Sequence, residues 1–147
     1  MTNIIDFVSD FWEWTGCAKR YKDHDISLLP FDPVEYPLLH EMQRQCNALI
    51  NQPLAAEEAD AFLMCMAIDN ESECILDECK KRADDDFINK LVSLGVRHPQ
   101  SEVRWQMAEL LRRDIPDRVV YLEALLHDTH PYVRKRAFNS AEETINY

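Results

Sequence analysis

The chain has 147 residues, a formal net charge of −11 at pH 7 and a sequence pI of about 4.8. Its apolar share of 46% and charged share of 29% indicate a folded domain rather than a disordered segment. The acidic balance disfavours nucleic-acid binding, which depends on a positive surface, and two glycines are too few for loops that cradle phosphate.

Export, membrane insertion and metal chemistry find no support in the residue pattern. The N-terminal segment carries acidic residues among its apolar ones and lacks the basic stretch of a secretory signal. No run of about 18 apolar residues predicts a membrane helix. The five cysteines form no CxxC pair, which predicts reduced thiols in a cytoplasmic protein. No pattern predicts a cofactor, a metal site or a catalytic residue.

The first predicted element is an amphipathic helix at the N-terminus. Thr2 or Asn3 can cap its start, because both side chains accept a hydrogen bond from the first helical turn. The helix is expected to end near Gly16. Its apolar residues recur at steps of three and four, which predicts one buried face: Ile4, Phe7, Val8, Phe11 and Trp12.

A long connection and a second amphipathic helix complete the N-terminal part, residues 1–54. The segment 17–37 has three prolines and no clear period, so it is predicted to be a surface loop, either a contact surface or a plain linker. The second helix begins at Leu38 and stops before Pro53. Both helices are expected to cap the remainder of the chain.

Residues 55–147 repeat a unit of helix, polar turn and second helix about three times. The first helices are predicted over 55–68, 86–94 and 117–127, and Gly95 is expected to close the second of these in the left-handed conformation. A period near 30 residues is typical of stacked helical hairpins, since one hairpin cannot bury its apolar face alone. The predicted fold is all-α: one domain, 1–147, forming a right-handed α-α superhelix.

The turn and second helix of the last two units carry a family resemblance. The stretches "DTHPYVRKRAFNSA" and "HPQSEVRWQMAEL" resemble HEAT repeats, in which a turn Asp and a Val-Arg pair open the second helix. The repeats are short and similar to the HEAT-like variety of phycobilin lyases. The first unit departs from the pattern, because Leu76 stands where the Arg is expected. The resemblance implies that Arg104 and Arg134 bond to turn groups, with Asp128 as a partner.

The basic run 133–136 then has a structural explanation through Arg134, with a contact to phosphate or to an acidic protein as alternatives. Lys135 and Arg136 are expected on an exposed flank beside it. Trp105 lies off the apolar stripe of its helix, so it is either an exposed interface anchor or packed against the next repeat. Asp84 or Asp85 is expected to cap the following helix.

The charges divide unevenly along the chain. Residues 55–86 hold eleven carboxylates against three cations, whereas residues 97–136 have a net charge of +2. An acidic central repeat favours a basic partner and speeds its encounter. The candidate protein-binding residues are accordingly Glu73, Asp77, Asp84, Asp85, Asp86, Trp105, Glu109 and Arg112.

Three functions fit this pattern. The leading prediction is a non-catalytic protein-binding module, in its concrete form an immunity protein that inhibits a basic nuclease toxin. The second is an adaptor or lyase-like chaperone subunit that holds a client or a pigment. The third is a HEAT-like alkylpurine DNA glycosylase, which is disfavoured because Glu73, Asp77 and Glu109 would make its channel acidic.

Overall fold

A computed structural model describes residues 3–17, 25–30 and 32–145. Within these ranges the chain is all-α, with eight α-helices, two 3₁₀ turns and no β-strand. The helices are α1 (Ile4–Thr15), α2 (Leu39–Leu49), α3 (Ala56–Ile68), α4 (Cys74–Arg82), α5 (Asp85–Gly95), α6 (Ser101–Leu110), α7 (Arg118–Leu126) and α8 (Pro131–Ile145). None of these described helices combines the length and apolarity that crossing a membrane requires.

Helix α1 forms as its sequence predicts. The Asn3 side chain accepts a hydrogen bond from the backbone N–H of Asp6 at 3.1 Å, which caps the N-terminus. Gly16 ends the helix with φ +79°, a left-handed conformation that costs glycine little. The buried face comprises Ile4, Phe7, Phe11 and Trp12.

The predicted loop 17–37 is only partly described, because residues 18–24 and 31 lie outside the described ranges. Its other residues include the 3₁₀ turns Ile26–Leu28 and Pro33–Glu35, each begun by an aspartate that accepts a backbone N–H two residues on. The backbone N–H of Ile26 donates to Gln100 Oε1 at 2.9 Å. The loop is therefore fixed to the start of α6 as well as crossing the surface.

The helices contact one another in two series. Helix α1 packs on α3 and α3 on α5, while α2 packs on α4, α4 on α6 and α6 on α8. Contacts also run between the two series, in the pairs α1–α2, α2–α3, α3–α6, α5–α6, α6–α7 and α7–α8. Helix α3 lies in the middle, with every residue from Ala61 to Ile68 buried, as its apolar circumference predicts.

Arg104 and Arg134 have the structural role that the sequence predicts. Arg104 Nε and Nη2 donate to the two carboxylate oxygens of Asp128 at 2.8 and 3.1 Å, so the pair is bidentate and links α6 to the turn between α7 and α8. Arg104 Nη1 also donates to the carbonyls of His98 and Pro99. Arg134 Nη1 donates to the backbone carbonyl of Asp128 at 2.7 Å.

Gly95 does not take the left-handed conformation expected of it. It is the last residue of α5, and Val96 follows as a right-handed C-cap. A Cβ atom on Gly95 would lie 2.4 Å from Met107 Sδ and 3.4 Å from Leu63 Cδ2. The Met107 side chain occupies the space beside Gly95, so a side chain at this position would require Met107 to move.

Candidate protein-binding site

A groove of about 430 Å³ lies between α1, α3 and the turn from α5 to α6. Its apolar wall comes from two helix faces, Ile5, Val8 and Trp12 on α1 and Ala61 and Met64 on α3. Side chains three or four residues apart share one side of a helix, so each helix contributes a continuous strip. We call this the α1–α3 groove.

Two carboxylates and a hydroxyl stand at the polar side of the α1–α3 groove. Glu57 and Asp60 are exposed on α3, and Ser9 is exposed on α1. Among the described residues Glu57 has no salt bridge, and the only ion-pair partner of Asp60 is a histidine. The rim therefore carries two negative charges above an apolar wall.

The histidine at the rim holds Asp60 in place. His98 is buried, and its Nδ1 accepts the backbone N–H of Gln100 at 3.1 Å. Because Nδ1 accepts, the ring proton lies on Nε2, which donates to Asp60 Oδ1 at 3.1 Å. This hydrogen bond outweighs burial and holds the pKa of Asp60 below its ordinary value. Asp60 is therefore ionised, and its side chain remains 67% exposed.

The acidic character continues beyond the groove at the start of α6. Glu102 is half-buried and accepts a hydrogen bond from Trp105 Nε1 at 2.9 Å. Burial raises the pKa of Glu102, and the nearby carboxylates of Asp25 and Glu71 raise it further. These acidic side chains are close enough to repel one another, whereas the nearby His130 acts in the opposite direction.

The chemistry of the α1–α3 groove suits an amphipathic cation. A lysine or arginine side chain can lay its apolar stem on a hydrophobic wall while its charged end reaches a carboxylate. Both ring nitrogens of His98 are engaged in hydrogen bonds, so neither is free to activate Ser9 in this arrangement. Within the described residues no group of three or more His, Cys, Asp or Glu side chains is arranged to hold a metal ion.

Five of the predicted binding residues are acidic and lie outside the α1–α3 groove: Glu73, Asp77, Asp84, Asp85 and Asp86. Asp77 and Asp86 are exposed and make no ion pair with described residues, and Glu73 is partly exposed at the start of α4 with φ +52°. Asp84 caps α5 as predicted, accepting the N–H of Phe87 at 2.8 Å. Asp85 is exposed and lies 3.5 Å from Arg113. Their role in protein binding stays a prediction.

Glu109 is not the solvent-facing carboxylate that the sequence predicts. Its side chain is 4% exposed, and its carboxylate is shared by Lys80 of α4, Arg112 in the turn after α6 and Arg136 of α8. Its oxygens lie 3.3 Å from Lys80 Nζ, 3.0 Å from Arg112 Nε and 2.6 Å from Arg136 Nε. Glu109 therefore does not make a channel acidic, and that objection to a glycosylase now rests on Glu73 and Asp77.

Trp105 and Arg136 are also more enclosed than expected. Trp105 is 4% exposed, and its ring packs edge-on against Tyr132 of α8 at 5.7 Å. The Trp105 ring is therefore packed against a neighbouring helix and is not an exposed interface anchor. The Arg136 guanidinium lies 4.5 Å from the centre of the Trp105 ring, so Arg136 is not on an exposed flank. Arg112 is partly exposed and bonds to Glu109 and Glu143.

The sequence prediction missed the α1–α3 groove, although two signals for it were present. Glu57 and Asp60 lie three residues apart on the polar side of an otherwise apolar helix. His98 precedes a proline in a turn, and a turn role alone explained it. The packing of α1 on α3 brings these groups together, and it cannot be predicted from the sequence of either helix alone.

Comparisons with family models, with curated proteins and with solved structures found no match to this chain.

Proposed function

We propose that this protein is a non-catalytic binding module for a basic partner protein. The α1–α3 groove is the observation that carries the proposal, because it pairs an apolar wall with the exposed carboxylates of Glu57 and Asp60. A cationic side chain of the partner would bury its stem there and leave its charge beside these carboxylates. The net charge of −11 would attract such a partner from a distance.

The concrete form of the proposal is an immunity protein that masks a basic nuclease toxin. A nuclease needs a positive surface to bind phosphate, and that surface complements an acidic inhibitor of this size. We place the protein in the cytoplasm, where its cysteines stay reduced. All five cysteines are free thiols, which suits that compartment.

The architecture we propose for this function is a short HEAT-like superhelix of about three hairpins, with α1 and α2 as caps. The serial contacts of α2, α4, α6 and α8 support it. So does the equivalence of two turns, since His98 Nδ1 accepts the N–H of Gln100 and His130 Nδ1 accepts the N–H of Tyr132. Such a stack presents one extended face to a partner.

The proposal is tested by affinity capture from the source cells, with the full-length protein as bait. A groove variant, Glu57→Gln with Asp60→Asn, removes both rim charges without changing side-chain size. Glu123→Gln with Glu142→Gln is the matched control, because both residues are exposed on α7 and α8, away from the groove. The captured partner is identified, purified and titrated against all three proteins over a range of salt concentrations.

We expect a partner of high pI whose affinity for the protein decreases as the salt concentration rises. The groove substitutions should lower this affinity more than the control substitutions do. For the immunity form, addition of the protein should also stop cleavage of nucleic acid by that partner. A partner that is acidic, or that binds the groove variant and the control equally, overturns the assignment of the groove. A basic partner without nuclease activity would support the binding module but would refute the proposal of an immunity protein.

A further inference from the structure

A second depression, of about 290 Å³, lies between α4, α5 and the C-terminal end of α6. Three cationic side chains line it, Lys80 from α4 and Arg112 and Arg113 beyond the last turn of α6. They are only partly exposed, at 38%, 29% and 28% of the side chain. We propose that this basic depression binds a small oxyanion, a phosphate or a carboxylate group.

The cations of the basic depression have hydrogen-bond donors that no described residue engages. Lys80 Nζ makes one bond, to Glu109, and the Arg112 bonds use Nε and Nη1. Arg113 donates through Nη1 and Nη2, to the carbonyls of Ala83 and Lys80 and to Asp85. Two ammonium protons of Lys80, Arg112 Nη2 and Arg113 Nε therefore have no partner among the described residues. These are the donors that an oxyanion needs.

The charge balance at the basic depression is positive, although the protein as a whole is acidic. Glu109 is the one buried carboxylate there, and Lys80, Arg112 and Arg136 share its single negative charge. The other counter-charges are Glu143 on Arg112 and Asp85 on Arg113, which are 61% and 65% exposed. Neither of these two carboxylates lines the depression, whose lining carries three cations and one carboxylate.

The shape of the basic depression fits a small anion better than a large ligand. Its volume is at the lower end of the range for ligand pockets. The planar Arg112 and Arg113 groups suit oxygen atoms of phosphate or carboxylate, and Lys80 adds a point charge from the opposite helix. This site is separate from the α1–α3 groove, so either proposal can fail alone.

The test uses the full chain and inorganic phosphate as the probe. Sodium phosphate and sodium chloride are compared at equal ionic strength and pH. Two quantities are measured: the Tm of thermal unfolding and the chemical shifts of the arginine side-chain Nε–Hε NMR signals. Sulfate and acetate arms separate phosphate recognition from carboxylate recognition. Variants Lys80→Gln and Arg113→Gln remove one cation each, and Lys81→Gln and Arg97→Gln are controls on exposed cations that do not line the depression.

We expect a saturable rise in Tm and saturable shifts of the Arg112 and Arg113 signals with at least one oxyanion, but not with chloride. Either single variant should weaken that binding roughly tenfold, as loss of one charge-assisted hydrogen bond predicts. The controls should bind like the original protein. A response that does not saturate, or one that both variants and controls share, overturns the proposal. If Arg113→Gln does not fold, the proposal is tested by the Arg112 and Arg113 NMR signals of the unchanged protein, which should shift saturably with the oxyanion.

Discussion

Glu109 is the residue whose replacement tests the packing of α4, α6 and α8 most directly. Its carboxylate is 4% exposed and lies within 3.3 Å of Lys80 on α4, Arg136 on α8 and Arg112 in the turn after α6. We therefore consider Glu109→Gln, which keeps the size of the side chain and one acceptor oxygen but removes the charge. The change leaves Lys80, Arg112 and Arg136 without their shared counter-ion.

The expected loss follows from the exposure of the partners. Removing one member of a fully buried ion pair costs about 3–5 kcal/mol, because the other charge stays buried. Here Arg136 and Arg112 are 20% and 29% exposed, so water can reach them after the change. The loss should then be close to that of charged hydrogen bonds, about 2 kcal/mol. For a chain of this length it corresponds to a fall in Tm of roughly 4–8 °C.

The assay is urea and thermal unfolding followed by far-UV circular dichroism. Glu123→Gln is the control, because Glu123 is exposed on α7 and makes no ion pair with described residues; it should change stability by less than about 0.5 kcal/mol. A double-mutant cycle with Arg136→Gln should give a coupling free energy of about 1 kcal/mol. A Glu109→Gln protein as stable as its control would refute the shared-carboxylate argument.

The pH dependence gives a second check on Glu109. Burial alone would raise the pKa of Glu109, but hydrogen bonds from Arg136 and Arg112 outweigh burial and lower it. A carboxylate with a lowered folded pKa stabilises the protein above its unfolded pKa, about 4.3, and loses that effect as the pH falls through the folded pKa. The stability difference between the two proteins should therefore shrink below about pH 4. A stability difference that grows below pH 4 would contradict a lowered pKa of Glu109 in the folded protein.

Three further outcomes are expected. Arg104→Lys removes the bidentate pair with Asp128 and should cost about 1–2 kcal/mol in urea unfolding, whereas Arg97→Lys on the exposed turn should be neutral. Gly95→Ala should destabilise by about 1 kcal/mol, because overpacking against Met107 exceeds the gain in helix propensity; a stabilised variant would contradict the close approach. At pH 8 a thiol reagent should modify Cys17 and Cys74 quickly and the three buried cysteines only after denaturation, since burial raises the pKa of Cys79 to about 12; a third fast thiol would count against this.

The helices themselves could be predicted, because their signals are local. The spacing of Ile4, Phe7 and Phe11, together with Asn3 and Gly16 at the two ends, is enough to define α1. The Asp84 cap of α5 is local in the same way. The pairing of Arg104 with Asp128 is not local: the resemblance to HEAT repeats predicted that Arg104 bonds to turn groups, but it put Asp128 beside Arg134.

Glu109 and Gly95 were predicted wrongly because their environments are set by distant residues. Helix α6 is covered by neighbours on several sides, so its period does not separate buried from exposed positions. The cations that bury Glu109 include Lys80 and Arg136, 29 and 27 residues away. A glycine at the end of a helix fits both a left-handed cap and a close helix contact, and only Met107 in space distinguishes them.

The bond from the Ile26 N–H to Gln100 has a consequence for synthesis of the chain. It joins positions 74 residues apart, and Gln100 also lines the α1–α3 groove. At about 5–20 residues per second, a ribosome needs roughly 4–15 s to add those residues. During that interval the turn Ile26–Leu28 has been made, but the side chain that fixes it to the start of α6 has not. This part of the loop can therefore take up its final position only after residue 100 has left the ribosome.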